Sequence, residues 1–160
     1  MKLLVTGVTG YIGGSVAIHL KNQVYQICGL VRNEQQADAI AALGIKPVLG
    51  NLNQFEALKN LLSEFDGVIN CADSDNIYFV TTVLEAFAGT GKIFIQTSGS
   101  SIVSDKAAGE LSHKINLEND FLTPPEKTLR VNIDKFVLDA KSSGVKSVVI
   151  VPTLISGRGL

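Results

Sequence analysis

Along the chain, short unbroken apolar runs alternate with longer stretches in which apolar residues recur every three or four positions. The runs are LLVT (3–6), VYQICGLVR (24–32), KPVLG (46–50), GVINCA (67–72), KIFIQTS (92–98) and SVVIVP (147–152). Between them lie YIGGSVAIHL (11–20), EQQADAIAAL (34–43), QFEALKNLL (54–62), a helical stretch near 76–88 and another over roughly 125–142, which Gly144 stops. Strand, helix, strand predicts a parallel sheet, because a parallel neighbour is reached only through a long crossover. Runs that lack polar alternation predict strands covered by helices on both faces. About six such strands make a doubly wound α/β domain, which binds ligands at the carboxyl ends of its strands, where the strand order reverses.

Residues 99–124 break the rhythm. They are rich in Ser, Asp, Gly, Lys and Asn and end in Pro124-Pro125, which predicts an irregular segment on the active edge of the sheet. A loop of this length commonly has a function. No internal repeat, low-complexity tract or linker interrupts the chain.

Composition narrows the partners. With 160 residues, 46% of them hydrophobic and 18% charged, the chain fits one compact domain with a real core. The balance of 14 Lys+Arg against 15 Asp+Glu gives a net charge of -1, so no basic field advertises nucleic acid or an acidic membrane. A small molecule is the expected partner, and oligomer formation stays open. Cys28 and Cys71 sit in apolar runs without metal-ligand or CxxC spacing, which predicts buried thiols in a reducing compartment and no metal site. The N-terminus carries too short an apolar core for a signal peptide, and nothing approaches a membrane span of about 18 apolar residues. A cytoplasmic protein is the expectation.

The opening MKLLVTGVTGYIGG places Gly7, Gly10 and Gly13 between an apolar strand and an amphipathic helix. In such a turn the first glycine permits the tight bend, the second lets backbone approach a pyrophosphate and the third lets helix pack on strand. The N–H groups and positive dipole end of the following helix favour a diphosphate over the loop. Spacing and context together therefore predict dinucleotide binding. The alternative is a close-packed corner with no ligand. At the end of the second strand stands Arg32, with no acid before Glu34; a guanidinium there suits a 2′-phosphate and predicts NADP over NAD.

Thr6-Gly7-x-x-Gly10-x-x-Gly13, Leu30-Val31-Arg32-Asn33, Gly50-Asn51-Leu52, Val68-Ile69-Asn70-Cys71-Ala72, Thr97-Ser98-Gly99 and Val151-Pro152-Thr153-x-Ile155-x-Gly157 occur in this order. In that order the chain resembles the extended and atypical short-chain dehydrogenases/reductases, particularly their nucleoside-diphosphate-sugar epimerase-like members, along its whole length. The resemblance implies a three-layer α/β/α Rossmann fold. Its pyrophosphate loop would be Gly7, Thr9, Gly10, Tyr11, Ile12 and Gly13, with Arg32 at the 2′-phosphate. Asn51 and Leu52 would meet adenine, Asn51 standing where the family commonly has aspartate. Cys71, Ala72, Asp73 and Thr97 would pass the ribose and nicotinamide side, with Pro152, Thr153 and Leu154 beside the carboxamide.

The catalytic part departs from the family. Its Tyr-x-x-x-Lys pair falls on Glu126 and Arg130, and Tyr11, Tyr25 and Tyr78 are all far from that helix in sequence. Four residues apart on one helical face, Glu126 and Arg130 predict either a surface ion pair or a replacement catalytic pair, with Arg130 on the nicotinamide ribose and Glu126 as acid/base. A carboxylate, with its ordinary pKa near ~4, would need burial for that task. Ser98 and Ser100 flank the strand-five position where the family places a hydroxyl, although Gly99 aligns best. His19 and His113 read as structural or solvated. Ser112-His113 lacks the nucleophile-elbow context, and no Walker pattern follows Gly10.

Two functions are therefore expected as alternatives. One is an NADP-dependent oxidoreductase or epimerase/dehydratase acting on a nucleotide sugar or another carbonyl or hydroxyl compound, held partly by the 99–124 segment. The other is a non-catalytic NADP-binding sensor without the Tyr/Lys pair. The chain reads as a single domain, 1–160, ending past the sixth strand without the smaller C-terminal substrate region of such relatives.

Overall fold

The computed structural model describes residues 1–23, 25–105, 107, 110–113, 115–117 and 121–157. Its strands are β1 (Lys2–Thr6), β2 (Gln26–Val31), β3 (Lys46–Leu49), β4 (Gly67–Asn70), β5 (Ile93–Thr97) and β6 (Lys146–Ile150). The helices are α1 (Tyr11–Lys21), α2 (Glu34–Ala42), α3 (Phe55–Leu62), α4 (Ile77–Phe87) and α5 (Thr128–Asp139). All strand pairs are parallel, in the order β3-β2-β1-β4-β5-β6. The order reverses between β1 and β4, which lie side by side with Thr6 opposite Asn70.

Successive side chains on a strand point to opposite faces, so an apolar run feeds two cores at once. Leu4, Cys28, Leu30, Val68 and Phe94 pack against Leu58 and Leu62 of α3, Phe79, Val83 and Phe87 of α4, and Ile133 and Val137 of α5. On the other face, Leu3, Val5, Ile27, Val31 and Ile69 meet Ala17 of α1 and Ala37 and Ile40 of α2. The result is the expected three-layer α/β/α fold.

Three expectations need correction. Strand β6 is not covered on both faces: its residues alternate between exposed and half-buried, and Val148 and Ile150 are 48% and 49% exposed. The helix over 125–142 is divided into a 3₁₀ turn at Pro125–Lys127, α5, and a second 3₁₀ turn at Ala140–Ser143. Pro125 opens the first turn in a position that costs no backbone donor, and Gly144, with φ +81°, ends the second in the left-handed conformation that favours glycine. Within the irregular 99–124 segment a short 3₁₀ turn forms at Ser100–Val103. The strand start expected at Val24 lies outside the described residues, as do residues 106, 108, 109, 114 and 118–120 of the segment expected to hold substrate.

Candidate functional site

The turn from β1 into α1 is shaped by two glycines. Gly7 has φ +65°, and a Cβ there would lie 2.6 Å from the Cys71 carbonyl oxygen and 2.9 Å from the Ala72 Cα. A Cβ on Gly13 would run into the Gly7 carbonyl. Both absences let α1 start directly over the β1–β4 junction. Gly10 differs, since the nearest atom to its absent side chain is the Gly7 oxygen at 3.2 Å and it faces open space. As the N-cap of α1, Gly10 supplies no side chain, and the N–H groups of Tyr11, Ile12 and Gly13 have no acceptor among the described residues. α2 and α4 are treated otherwise: Asn33 accepts from the Gln36 N–H, and Asn76 from the Phe79 N–H.

Beneath this turn a buried polar network ties the strand ends together. Thr6 donates to Asn70 Oδ1 at 2.6 Å and accepts from the Cys71 N–H. Asn70 Nδ2 donates to Gln96 Oε1 and to the Asp73 carbonyl, while Gln96 Nε2 donates to the Ser74 carbonyl. Ser74 Oγ donates to the Thr97 carbonyl at 2.8 Å. Thr6, Asn70 and Gln96 are all but inaccessible, and such fully partnered networks hold a loop in one shape. Here the held loop is 71–76, the connection from β4 to α4.

Above these elements lies an open cleft of about 430 Å³ at the reversal of strand order. Gly7, Thr9, Gly10, Arg32, Asn51, Leu52, Cys71, Ala72 and Asp73, all expected at the site, line it. Gln36 and Asn76 also line it and were not anticipated. Arg32 is exposed, and its N–H is held by Gln36 Oε1. Asn51 Oδ1 accepts from the Asn53 N–H, so part of its side chain's hydrogen-bonding capacity is spent within the loop.

A second hollow, of about 480 Å³ and mostly apolar, lies between α1 and the ends of β4, β5 and β6. Ile12, Thr97, Pro152 and His19 line it, and Cys71 borders both spaces. Cys71 is thus only partly buried, a correction to the expectation of two buried thiols; burial pushes its thiol pKa up, partly offset by the Thr97 hydroxyl 3.5 Å away. Tyr11 is 40% exposed at the start of α1. Thr153 and Leu154 are exposed and border neither space, Leu154 at 96%.

Among the described residues, no hydrogen bond or ion pair joins Ser98, Glu126 and Arg130 to one another. Ser98 is buried, its Oγ donates to Asp134 Oδ2 at 2.5 Å, and it lines neither space. Burial raises the Asp134 pKa against the opposing pull of Ser98 and Arg130, and Asp134 Oδ1 has no partner among the described residues. The expected Glu126–Arg130 ion pair is replaced: Arg130 Nε and Nη2 fork onto Asp75 Oδ1 and Oδ2 at 2.9 and 2.6 Å. Glu126 sits in the 3₁₀ turn ahead of α5 and is exposed, so it lacks the burial a carboxylate base would need. The Arg130 hydrogen bonds hold Asp75 below the ordinary carboxylate range, and the same bonds raise Arg130. His113 and Glu110 are exposed, while Lys114 lies outside the described residues. Asp75 and Asp134 escaped the sequence reading because their partners stand 55 and 36 positions away.

A parallel sheet with a glycine turn at its order reversal and an uncapped helix over a cleft defines a Rossmann-type ligand-binding domain. The model of the NmrA-like family matches residues 1–96, and the chain belongs to that family. This agrees with the resemblance to extended and atypical short-chain dehydrogenases/reductases. The protein YLL056C of Saccharomyces cerevisiae is 29% identical over 99% of this chain and 56% of its own length. The 4-hydroxy-2-methyl-3-oxo-4-farnesyl-3,4-dihydroquinoline-1-oxide ketoreductase of Stigmatella aurantiaca is 28% identical over 98% of this chain and 51% of its own length. Among solved structures, MoeE5 in complex with UDP-glucose and NAD superposes with a TM-score of 0.68 at 18% identity, over 96% of this chain and 53% of that one. The chain spans about half the length of the curated relatives it matches. Among the described residues, no helix is long and apolar enough to cross a membrane.

Proposed function

We propose that residues 1–160 are the dinucleotide-binding part of an NAD(P)-dependent oxidoreductase or epimerase/dehydratase of the atypical short-chain dehydrogenase/reductase type. The cofactor is a nicotinamide dinucleotide, with NADP preferred over NAD. The substrate is a small carbonyl or hydroxyl compound, with a nucleotide sugar as one class. The observation that carries this reading is the cleft of about 430 Å³ lined by Gly7, Thr9 and Gly10, the last of which N-caps α1 without a side-chain hydrogen bond.

The residues fit the cofactor part by part. Tyr11, Ile12 and Gly13 donate N–H groups to a diphosphate, and the dipole of α1 favours its charge. Gly10 keeps side-chain atoms out of the phosphate space. Arg32 offers a forked cation to a 2′-phosphate, a contact NAD lacks. Asn51 and Leu52 border the base, and Cys71, Ala72 and Asp73 border the ribose toward β4. Thr97 and Pro152 flank the nicotinamide end, with Arg130 beyond them near Gly99. When bound, the cofactor supplies or accepts hydride at C4 of its nicotinamide. The ketoreductase among the relatives supports an enzyme over a sensor, and the NAD in MoeE5 supports the class of cofactor.

Calorimetric titration of the chain with NADP and NAD tests the reading. Saturable binding with NADP the tighter ligand is expected, and the absence of binding to both at millimolar concentration would refute it. Oxidation of NADPH by the full-length protein against a panel of carbonyl compounds tests the reaction class.

A further inference from the structure

Four carboxamide side chains, those of Gln36, Asn51, Asn53 and Asn76, line the cleft. A carboxamide has one oxygen that accepts and one NH₂ that donates, so the end already engaged decides what is left for a ligand. Here all four oxygens are engaged within the protein. Gln36 Oε1 accepts from the Arg32 N–H at 2.9 Å, Asn51 Oδ1 from the Asn53 N–H at 3.1 Å, and Asn76 Oδ1 from the Phe79 N–H at 3.0 Å. A backbone N–H can only donate, which fixes the orientation of these three amides. Asn76 therefore turns its Nδ2 to Asn53, whose Oδ1 accepts it at 3.2 Å. Gln36 Nε2 and the Nδ2 groups of Asn51 and Asn53 donate to nothing among the described residues. The amides of this cleft are thus left with donors to offer.

We propose that Asn51 makes the base end of the cleft select an acceptor, so that a dinucleotide carrying a 6-oxo purine binds at least as tightly as the adenine form. The inference rests on the dinucleotide reading, in which Asn51 and Leu52 border the base, and adds to it a specificity opposite to the one the family's common residue would give. An aspartate at this position would accept from the Asn53 N–H with one oxygen and keep the second as an acceptor for the 6-amino group of adenine. Asn51 spends its oxygen on that same N–H and carries an NH₂ in place of the second acceptor. Against a 6-amino group, donor meets donor; against a 6-oxo group, donor meets acceptor, while N7 accepts in both purines. Donors left facing one another cost more than a contact merely missing, so the exchange of one atom is enough to turn the preference.

The test compares NADP with its hypoxanthine counterpart, which differs only in the base. Both are titrated by calorimetry against the wild-type chain and Asn51→Asp, with thermal melting followed in parallel. Aspartate keeps the acceptor for the Asn53 N–H, so the loop and the melting temperature should hold. The two ligands carry the same phosphates, so every contact away from the base cancels in the ratio of their affinities. The wild-type chain is expected to bind the hypoxanthine form at least as tightly as NADP, and Asn51→Asp to move the ratio roughly tenfold toward NADP, the worth of one hydrogen bond to a charged group. A wild-type chain that prefers NADP would overturn the assignment, as would a folded Asn51→Asp variant with the wild-type ratio. A wild-type chain that binds neither ligand would instead remove the dinucleotide reading and this inference with it.

Discussion

At the start of α1, beside the cleft, three N–H groups have no acceptor among the described residues, and Gly7 and Gly13 are held by backbone contacts. Two strands away, at the tip of β5 and the start of α5, the polar groups have mostly found protein partners: Ser98 is bonded to Asp134, and Arg130 to Asp75. The first region leaves its hydrogen-bonding capacity open, as the proposed diphosphate contact requires. In the second, Ser98 and Asp134, and Arg130 and Asp75, answer one another within the protein. The difference teaches that open donors at a turn rest on backbone geometry set by a few glycines, whereas side-chain donors are taken up by whichever partners the fold brings near.

Substitutions at the glycine turn would break the contrast most strongly. Gly7→Val forces a β-branched residue into φ +65° and against the Cys71 carbonyl, and the expected loss is on the order of 3 kcal/mol of stability together with dinucleotide binding. Melting and titration read the two losses. Gly10→Ala sharpens the point, because its Cβ meets only one atom, at 3.2 Å; the fold should persist while affinity falls.

Arg32→Ser separates phosphate recognition from the rest of the cleft. The expected outcome is an NADP affinity lowered roughly tenfold or more with NAD affinity unchanged, since only the 2′-phosphate is addressed. Equal weakening of both would place Arg32 outside the phosphate contact.

In the second region, pH is the lever. Burial raises Asp134 above its unfolded value near ~3.9, so the folded state holds the proton more tightly. Its contribution therefore declines as pH rises from the unfolded value through the raised one, and levels off above it. Asp134→Asn keeps an acceptor for Ser98 and replaces the unpartnered Oδ1 region with an uncharged group. Urea midpoints across pH should show that this variant lacks the decline and is the more stable form above it. Asp75 has the opposite sign: its pKa is lowered, so its contribution is present above the ordinary carboxylate range and lost as pH falls through the lowered value. Because Asp75 is about half exposed, that contribution stays within about 1 kcal/mol.

Asn76→Ala removes the cap of α4 and the bridge to Asn53. About 1 kcal/mol of stability should go, read as a lower melting temperature, with a smaller change in affinity because Asn76 only borders the cleft.

The alternation of apolar runs and helical stretches, the glycine spacing, Arg32 and the proline pair were all legible along the chain, because each acts through neighbours within a few residues. From these follow the parallel sheet, the uncapped turn at its reversal and the class of ligand that suits it. Tertiary structure alone decided that Glu126 and Arg130 do not pair, that Ser98 turns inward to Asp134, and that Cys71 borders two spaces. Only the folded chain brings Asp75 to Arg130 and Gln96 to Asn70. The physical reason is range: turn and helix preferences are set by local sterics and hydrogen bonds, whereas a side chain's partner is chosen by whichever polar group the packed sheet and helices carry within about 3 Å.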